Sequence, residues 1–321
     1  MEKRKHIRRK DVFKKLRAVD KVTSNLTAVF VGATNGIGLR AVRTFAKHTS
    51  GASPTIYIVG RSRKSLEFLA SSLTEINPSA SFIPIQANDL TLIKDAQTAA
   101  NQIAGSAKQI DPLVISPGYI SLNFDESPEG LDRVQAIRYY PRMRFLVALA
   151  PLLRVSLSPR IVTILGAGKE GQLWPEYLAF ETTLKSPKRR SLENQKIGLV
   201  HLLPGLVWGT GLSIKGLPRW GQFLLDWIAG PLMRSFGYTI DEAGEKVLYA
   251  ATSEKFLSVG GGNQVKAGKG SDGMVGSGVY LVQGNSSVMP GNKVLNGFHE
   301  QAMDEKVWKH TFEEFEKVDS S

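Results

Sequence analysis

Gly32, Gly36 and Gly38 define the first chemistry available to this chain. They lie in a G-x-x-x-G-x-G spacing within Thr27-Ala-Val-Phe-Val-Gly-Ala-Thr-Asn-Gly-Ile-Gly-Leu-Arg40. Ala28 to Val31 is a short apolar run that predicts a buried strand. Leu39 to His48 predicts a helix, with Ala41, Val42, Phe45 and Ala46 on one face. A strand, a glycine turn and a helix present the bare N–H groups of a helix N-terminus to an anion. Glycine is required because the backbone must turn tightly and let a pyrophosphate approach without a Cβ in the way. Thr34, Asn35 and Ile37 complete the turn.

A second strand, predicted over Thr55 to Val59, ends in Gly60-Arg61-Ser62-Arg63. This point lies about 20 residues past the glycine turn, where a dinucleotide fold reads the adenosine ribose. An acid there would hold two ribose hydroxyls, and none is present. Arg61 and Arg63 instead offer forked donors suited to a 2′-phosphate, so the expected cofactor is NADP. The alternative is a pair of solvated arginines. A third strand runs into Asn88-Asp89-Leu90, which can seat an adenine by one polar contact and one apolar wall. A fourth, Pro112 to Ile115, runs into Ser116-Pro117-Gly118-Tyr119 at the crevice where ligands sit.

The elements that must position these residues alternate. Helices are predicted over Ser65 to Leu73, Leu92 to Ile103 and Gly130 to Leu153, the last broken near Pro141. Further strands are predicted at Arg160 to Leu165 and Lys196 to Leu203. Strands alternating with helices predict an α/β, Rossmann-type, doubly wound parallel sheet with helices on both faces, as a single domain over 25–318. A helix over Thr239 to Thr252, a strand at Val279 to Val282 and a helix over Ala302 to Val318 follow.

Of the 321 residues, 42% are hydrophobic, enough for a large core. There is no cysteine, which excludes disulfides, thiolate metal sites and a cysteine nucleophile. The five histidines show no metal-ligand spacing, and His201 reads as a core or rim residue. No apolar run is long enough for a spanning helix, and Met1 to Lys21 lacks the apolar core of a secretory signal, so a cytoplasmic location is expected. Formal net charge is +12, and the first 21 residues hold ten Lys or Arg against three acids. This basic arm, 1–24, reads mainly as a solvated segment packing Val12, Phe13 and Leu16 on the body. Contact with nucleic acid or anionic lipid is the lesser reading, and no nucleic-acid partner is expected.

Together these residues resemble the short-chain dehydrogenase/reductase family. The glycine turn, Asp89-Leu90, the strand ending at Gly118 and Pro204-Gly205 match its cofactor half. Tyr139-Tyr140, Arg142-Met-Arg-Phe145, Gly168-Lys-Glu-Gly171, Gly276-Ser-Gly-Val-Tyr280 and Trp308 to Glu314 resemble a fungal branch tied to secondary metabolism. The resemblance implies proton transfer by Ser, Tyr and Lys with a supporting Asn. The serine position falls at Leu165-Gly166, which has no hydroxyl, and the Asn falls near Arg138. No tyrosine is followed four residues later by a lysine. Pro187 interrupts a polar stretch, Phe180 to Gln195, where the family's Tyr/Lys helix belongs, so much of that helix is missing. Tyr177 and Lys185 are the nearby pair that a bent loop would bring to the nicotinamide, and otherwise are surface-loop residues. Relatives usually pair through that depleted helix, which leaves a homo-oligomer open.

The apolar stretch 206–237, with Trp208, Trp220, Phe223 and Trp227, follows Pro204-Gly205, where the family places its substrate lid. A lid over a greasy substrate, packing at a core and shallow membrane contact are the three readings. The main expectation is an NADP-dependent oxidoreductase acting on a ketone or secondary alcohol of an apolar secondary metabolite, a polyketide or terpenoid. The alternative is an NADP-binding scaffold or a non-redox isomerase or cyclase, since the Ser/Tyr/Lys set is absent.

Overall fold

A computed structural model describes residues 26–167, 197–210, 214–224, 227, 237–258, 267–291, 293–300 and 302–321. The strands are β1 (Thr27–Val31), β2 (Thr55–Gly60), β3 (Ser81–Gln86), β4 (Pro112–Ile115), β5 (Ile120–Ser121), β6 (Arg160–Ile164), β7 (Gly198–Leu202), β8 (Val207–Trp208), β9 (Ile214–Lys215), β10 (Tyr238–Thr239), β11 (Val279–Val282) and β12 (Val288–Met289). The helices are α1 (Gly36–His48), α2 (Arg63–Ile76), α3 (Ile93–Ala104), α4 (Arg133–Arg138), α5 (Tyr140–Val155), α6 (Arg219–Leu224), α7 (Ile240–Thr252), α8 (Lys293–Glu300) and α9 (Met303–Asp319).

Eight strands form one sheet in the order β12-β11-β7-β6-β4-β1-β2-β3. All neighbours are parallel except β11 and β12. The strand order reverses between β1 and β4, which opens a crevice at their C-terminal ends. Residues 28–31 of β1 and 56–60 of β2 are buried throughout, as expected for parallel strands covered on both faces. One core lies under α1, α2 and α7, where Phe30 meets Phe45 edge to face at 5.4 Å. The other lies under α3, α5 and α9.

Local chemistry sets most boundaries. The α/β doubly wound architecture expected from the sequence is the one observed. The helical segment expected from Gly130 begins at Arg133 instead. Asp132 is the cap, its carboxylate accepting from the Val134 and Gln135 amides, and a capping residue stands outside the helix it starts. Tyr139 separates α4 from α5, and Pro141 falls in the first turn of α5, where a missing N–H costs nothing. Thr239 and Glu242 form a reciprocal capping box on α7. The first turn of α3 is capped from afar: Glu129 accepts from the Ile93 and Lys94 amides at 2.8 and 2.9 Å. Two short parallel ribbons, β5 with β9 and β8 with β10, together with β12 and α8, were not anticipated; two-residue strands leave no periodicity to read.

Candidate cofactor site at the switch point

The glycine turn leaves β1 with Gly32 at φ +80° and enters α1 with Gly36 at φ +56°, backbone that side chains other than glycine rarely adopt. The Gly32 and Ala33 amides donate to the Val59 carbonyl at 3.0 and 3.1 Å, tying the turn to β2. Asn35 caps α1 by accepting from the Gly36 amide at 2.7 Å. A Cβ on Gly38 would run into the Gly32 carbonyl and approach the Ser116 hydroxyl at 2.9 Å, and one on Gly32 would meet the Pro117 ring at 2.9 Å. The turn, the first turn of α1 and the segment after β4 therefore close around a cradle that only glycines leave open. That cradle, at a helix N-terminus with no acid in its first turn, fits a diphosphate. Thr34 packs over Gly60, whose own Cβ would come within 2.8 Å of it. Ile37 is half-buried in the first turn of α1.

Arg61 and Arg63 part company. Arg61 is exposed at the end of β2, and its guanidinium makes no contact among the described residues; its carbonyl accepts from Gln86. Arg63 opens α2 and is paired with Glu67 at 2.6 Å. Arg61 is the freer anion donor. Asn88 accepts from Gln86 Nε2 at 2.9 Å, and Leu90 is buried. The Asp89 carboxylate is engaged by the Thr91 amide at 2.9 Å, the Thr91 hydroxyl at 2.7 Å and Arg133 at 2.5 Å. Burial pushes its pKa up, but the Thr91 contacts and the Arg133 charge outweigh this and hold it below the usual carboxylate range. Its lone pairs thus serve the loop first, and Leu90 with the rim of Asn88 is the surface left for an adenine. Gly118 is exposed at the mouth of the crevice. Tyr177 and Lys185 lie outside the described residues, as do the basic arm and much of 206–237.

Two features escaped the sequence reading. Tyr119 follows Gly118, and the Lys215 ammonium stands 4.6 Å from its ring centroid, brought there by the β5–β9 ribbon. The ammonium covers the ring face, and burial, joined by Asp125 and Asp132, pushes the phenol's pKa up. This pair fastens two loops; it does not present an acidified phenol. The second feature is Arg142, fully buried in the first turn of α5. Its guanidinium donates to the carbonyls of Ile137 and Ile115 at 3.1 Å, Ile164 at 3.3 Å, and Pro117. Burial lowers its pKa to about 9, so it stays charged at neutral pH. Nearby, Thr163 on β6 and His201 on β7 share a hydrogen bond of 2.7 Å across the strands, as expected for a satisfied histidine. Burial and then the Arg142 charge push His201 down to about 3, so it is neutral at physiological pH. A signal existed for Arg142, since an arginine set among Tyr140, Pro141, Met143 and Phe145 needs partners once they are buried, but which carbonyls it reaches is a tertiary fact.

An oxidoreductase of Emericella nidulans, AN1596, is 32% identical over 309 residues, spanning 89% of this chain and 92% of the relative. A short-chain dehydrogenase/reductase of Stachybotrys chartarum, SAT2, is 26% identical over 337 residues, spanning 92% and 93%. The chain belongs to the short-chain dehydrogenase/reductase family. As a member of this short-chain dehydrogenase/reductase family it is an SDR-type oxidoreductase. The structure of L-sorbose reductase from Gluconobacter frateurii, complexed with NADPH and L-sorbose, superposes with a TM-score of 0.53 at 20% identity, over 72% of this chain and 92% of that one. At that identity the likeness is one of fold. No protein-family model matches the sequence.

Proposed function

We propose that this SDR binds NADP(H) and moves a hydride between it and a ketone or secondary alcohol on an apolar small molecule, a secondary metabolite of polyketide or terpenoid type. The observation that carries the reading is the cradle of Gly32, Gly36 and Gly38 at the N-terminus of α1, with the exposed Arg61 at the end of the neighbouring strand. Bound there, the cofactor supplies or accepts the hydride. The glycine turn holds the diphosphate through Thr34, Asn35 and Ile37. Arg61, assisted by Arg63 once it leaves Glu67, holds the 2′-phosphate. Asn88 and Leu90 wall the adenine, with Asp89 fixing their loop, and Gly118 lines the ribose and nicotinamide side. NADP in related folds supports the cofactor choice. Leu206, Trp220, Phe223, Leu224 and Trp227 are exposed in the segment after Pro204-Gly205, which supports an apolar substrate. Residues 1–24 as an arm, 25–318 as one domain, 206–237 as a lid, and a cytoplasmic location belong to the same reading.

The test is a cofactor titration by NAD(P)H fluorescence. Arg61→Asp should weaken NADPH binding at least tenfold while leaving NADH binding within about twofold, the difference being one charge-assisted contact. Equal loss for both removes Arg61 from the site. A second reading rests on Leu165-Gly166, where the family's serine hydroxyl is absent: an NADP-binding scaffold or a non-redox isomerase or cyclase. A purified chain that binds NADPH and oxidises none of it against a broad ketone panel would favour that reading.

A further inference from the structure

We infer that Arg142 biases the site toward the reduced cofactor, by placing a fixed positive charge under the nicotinamide side of the crevice that disfavours the oxidised ring. The inference rests on the cofactor reading above, and the residues that carry it lie outside the glycine cradle.

Arg142 Nη2 lies 4.0 Å from where a Cβ on Gly118 would stand, directly behind the wall assigned to the ribose and nicotinamide. Its partners are all backbone carbonyls: two from the segment leaving β4, one from the end of β6 and one from α4. No carboxylate pairs with it among the described residues, in contrast to Arg133 and Arg144, which meet Asp89 and Asp319. Carbonyl dipoles solvate the guanidinium but leave its full charge in place. Its position also runs against helix electrostatics. It occupies the first turn of α5, the positive end of the dipole, where an acid would be favoured. The Ile137 carbonyl it meets belongs to the last turn of α4, where a cation is favoured, yet a buried guanidinium with no carboxylate beside it is still costly. The same field reaches across the strand ends, where it helps keep His201 neutral.

The consequence follows from charge balance. In reduction of a ketone, the hydride carries its electron pair to the carbonyl carbon, a proton goes to the oxygen, and the nicotinamide left behind gains one positive charge. A nearby cation in a poorly screened site raises the energy of that ring relative to the neutral reduced one. The site therefore holds NADPH more tightly than NADP+, while the equilibrium of the reaction itself is unchanged.

The experiment measures dissociation constants of NADPH, NADP+ and 2′,5′-ADP by calorimetry for the full-length protein, Arg142→Met and Arg142→Lys, with thermal melts as a folding control. The wild type should bind NADPH at least tenfold tighter than NADP+. Arg142→Met should shrink that ratio about tenfold by strengthening NADP+, with 2′,5′-ADP unchanged. Arg142→Lys should keep the ratio while losing stability, since it keeps the charge but not the fork. A wild-type ratio near one, or a folded Met variant with the wild-type ratio, overturns the inference. If the Met variant does not fold, the wild-type ratio and the Lys variant decide it: a ratio lost in a folded Lys variant shows that hydrogen-bond geometry, not charge, was responsible. Failure of all three ligands to bind the wild type sinks the cofactor reading instead.

Discussion

His201 illustrates how one side chain couples site and stability. Its imidazole is bonded to Thr163 and faces the Arg142 charge, so it stays neutral in the fold down to about pH 3, against 6.5 for an ordinary histidine. Between those values the unfolded chain binds a proton that the folded chain does not. Stability from this residue is therefore complete above the unfolded pKa and lost as pH falls toward 3. On lowering pH from 6.5 to 5 the loss is up to about 2 kcal/mol. Urea denaturation of His201→Gln should show a correspondingly shallower fall in that window; an unchanged slope would mean the proton is taken up elsewhere. The residue types at the candidate cofactor site were legible without coordinates: Gly32, Gly36 and Gly38, and the Arg61–Arg63 pair after the second strand, stand out by spacing alone. The engagement of Asp89 by Thr91 and Arg133 was not, because Arg133 arrives from 44 residues away.

At the scale of elements, the strand–turn–helix unit works because three backbone segments approach one another more closely than a Cβ allows. Gly38→Ala puts a methyl against the Gly32 carbonyl and Ser116. NADPH affinity should fall at least tenfold, with a lowered melting temperature, because the turn must open to admit the methyl. Gly297→Ala in α8 is the control: open space surrounds that position, and replacing a helical glycine should stabilise by up to about 1 kcal/mol. Retained NADPH affinity in Gly38→Ala, measured by fluorescence titration, would remove the cradle from the site. The apolar runs of β1, β2, β4 and β6 and the stripes of α1, α2 and α3 were readable from periodicity. The caps explain the misplaced boundary at Gly130, and Glu129, which caps α3 from across a loop, leaves no local signature.

For the whole molecule, the C-terminal helix fixes one face. Tyr139 and Tyr140, at the α4–α5 junction, reach Thr311 at 2.8 Å and His310 at 2.8 Å, and Arg144 pairs with Asp319 while lying 4.6 Å above the Phe315 ring. Thr311 is fully buried, and burial pushes the Tyr139 phenol up to about 12 although the Thr311 bond pulls it down. Thr311→Val keeps the shape and orphans the Tyr139 hydroxyl, so chemical denaturation should show a loss of about 1–3 kcal/mol with cofactor affinity unchanged. A neutral substitution would mean water replaces the bond. No helix among the described residues is long and apolar enough to cross a membrane. By itself the sequence determined the α/β architecture, the family, the glycine turn that opens α1 and the absence of a serine hydroxyl at Leu165-Gly166, because periodicity and glycine spacing are local properties of the chain. Only the tertiary structure decided that Asp89 is engaged by Arg133, that Tyr119 meets Lys215, and that Arg142 stands beneath the crevice with carbonyls rather than a carboxylate as partners. Those facts depend on which distant segments the crossovers bring together, and on how burial strengthens a charge that water would have screened.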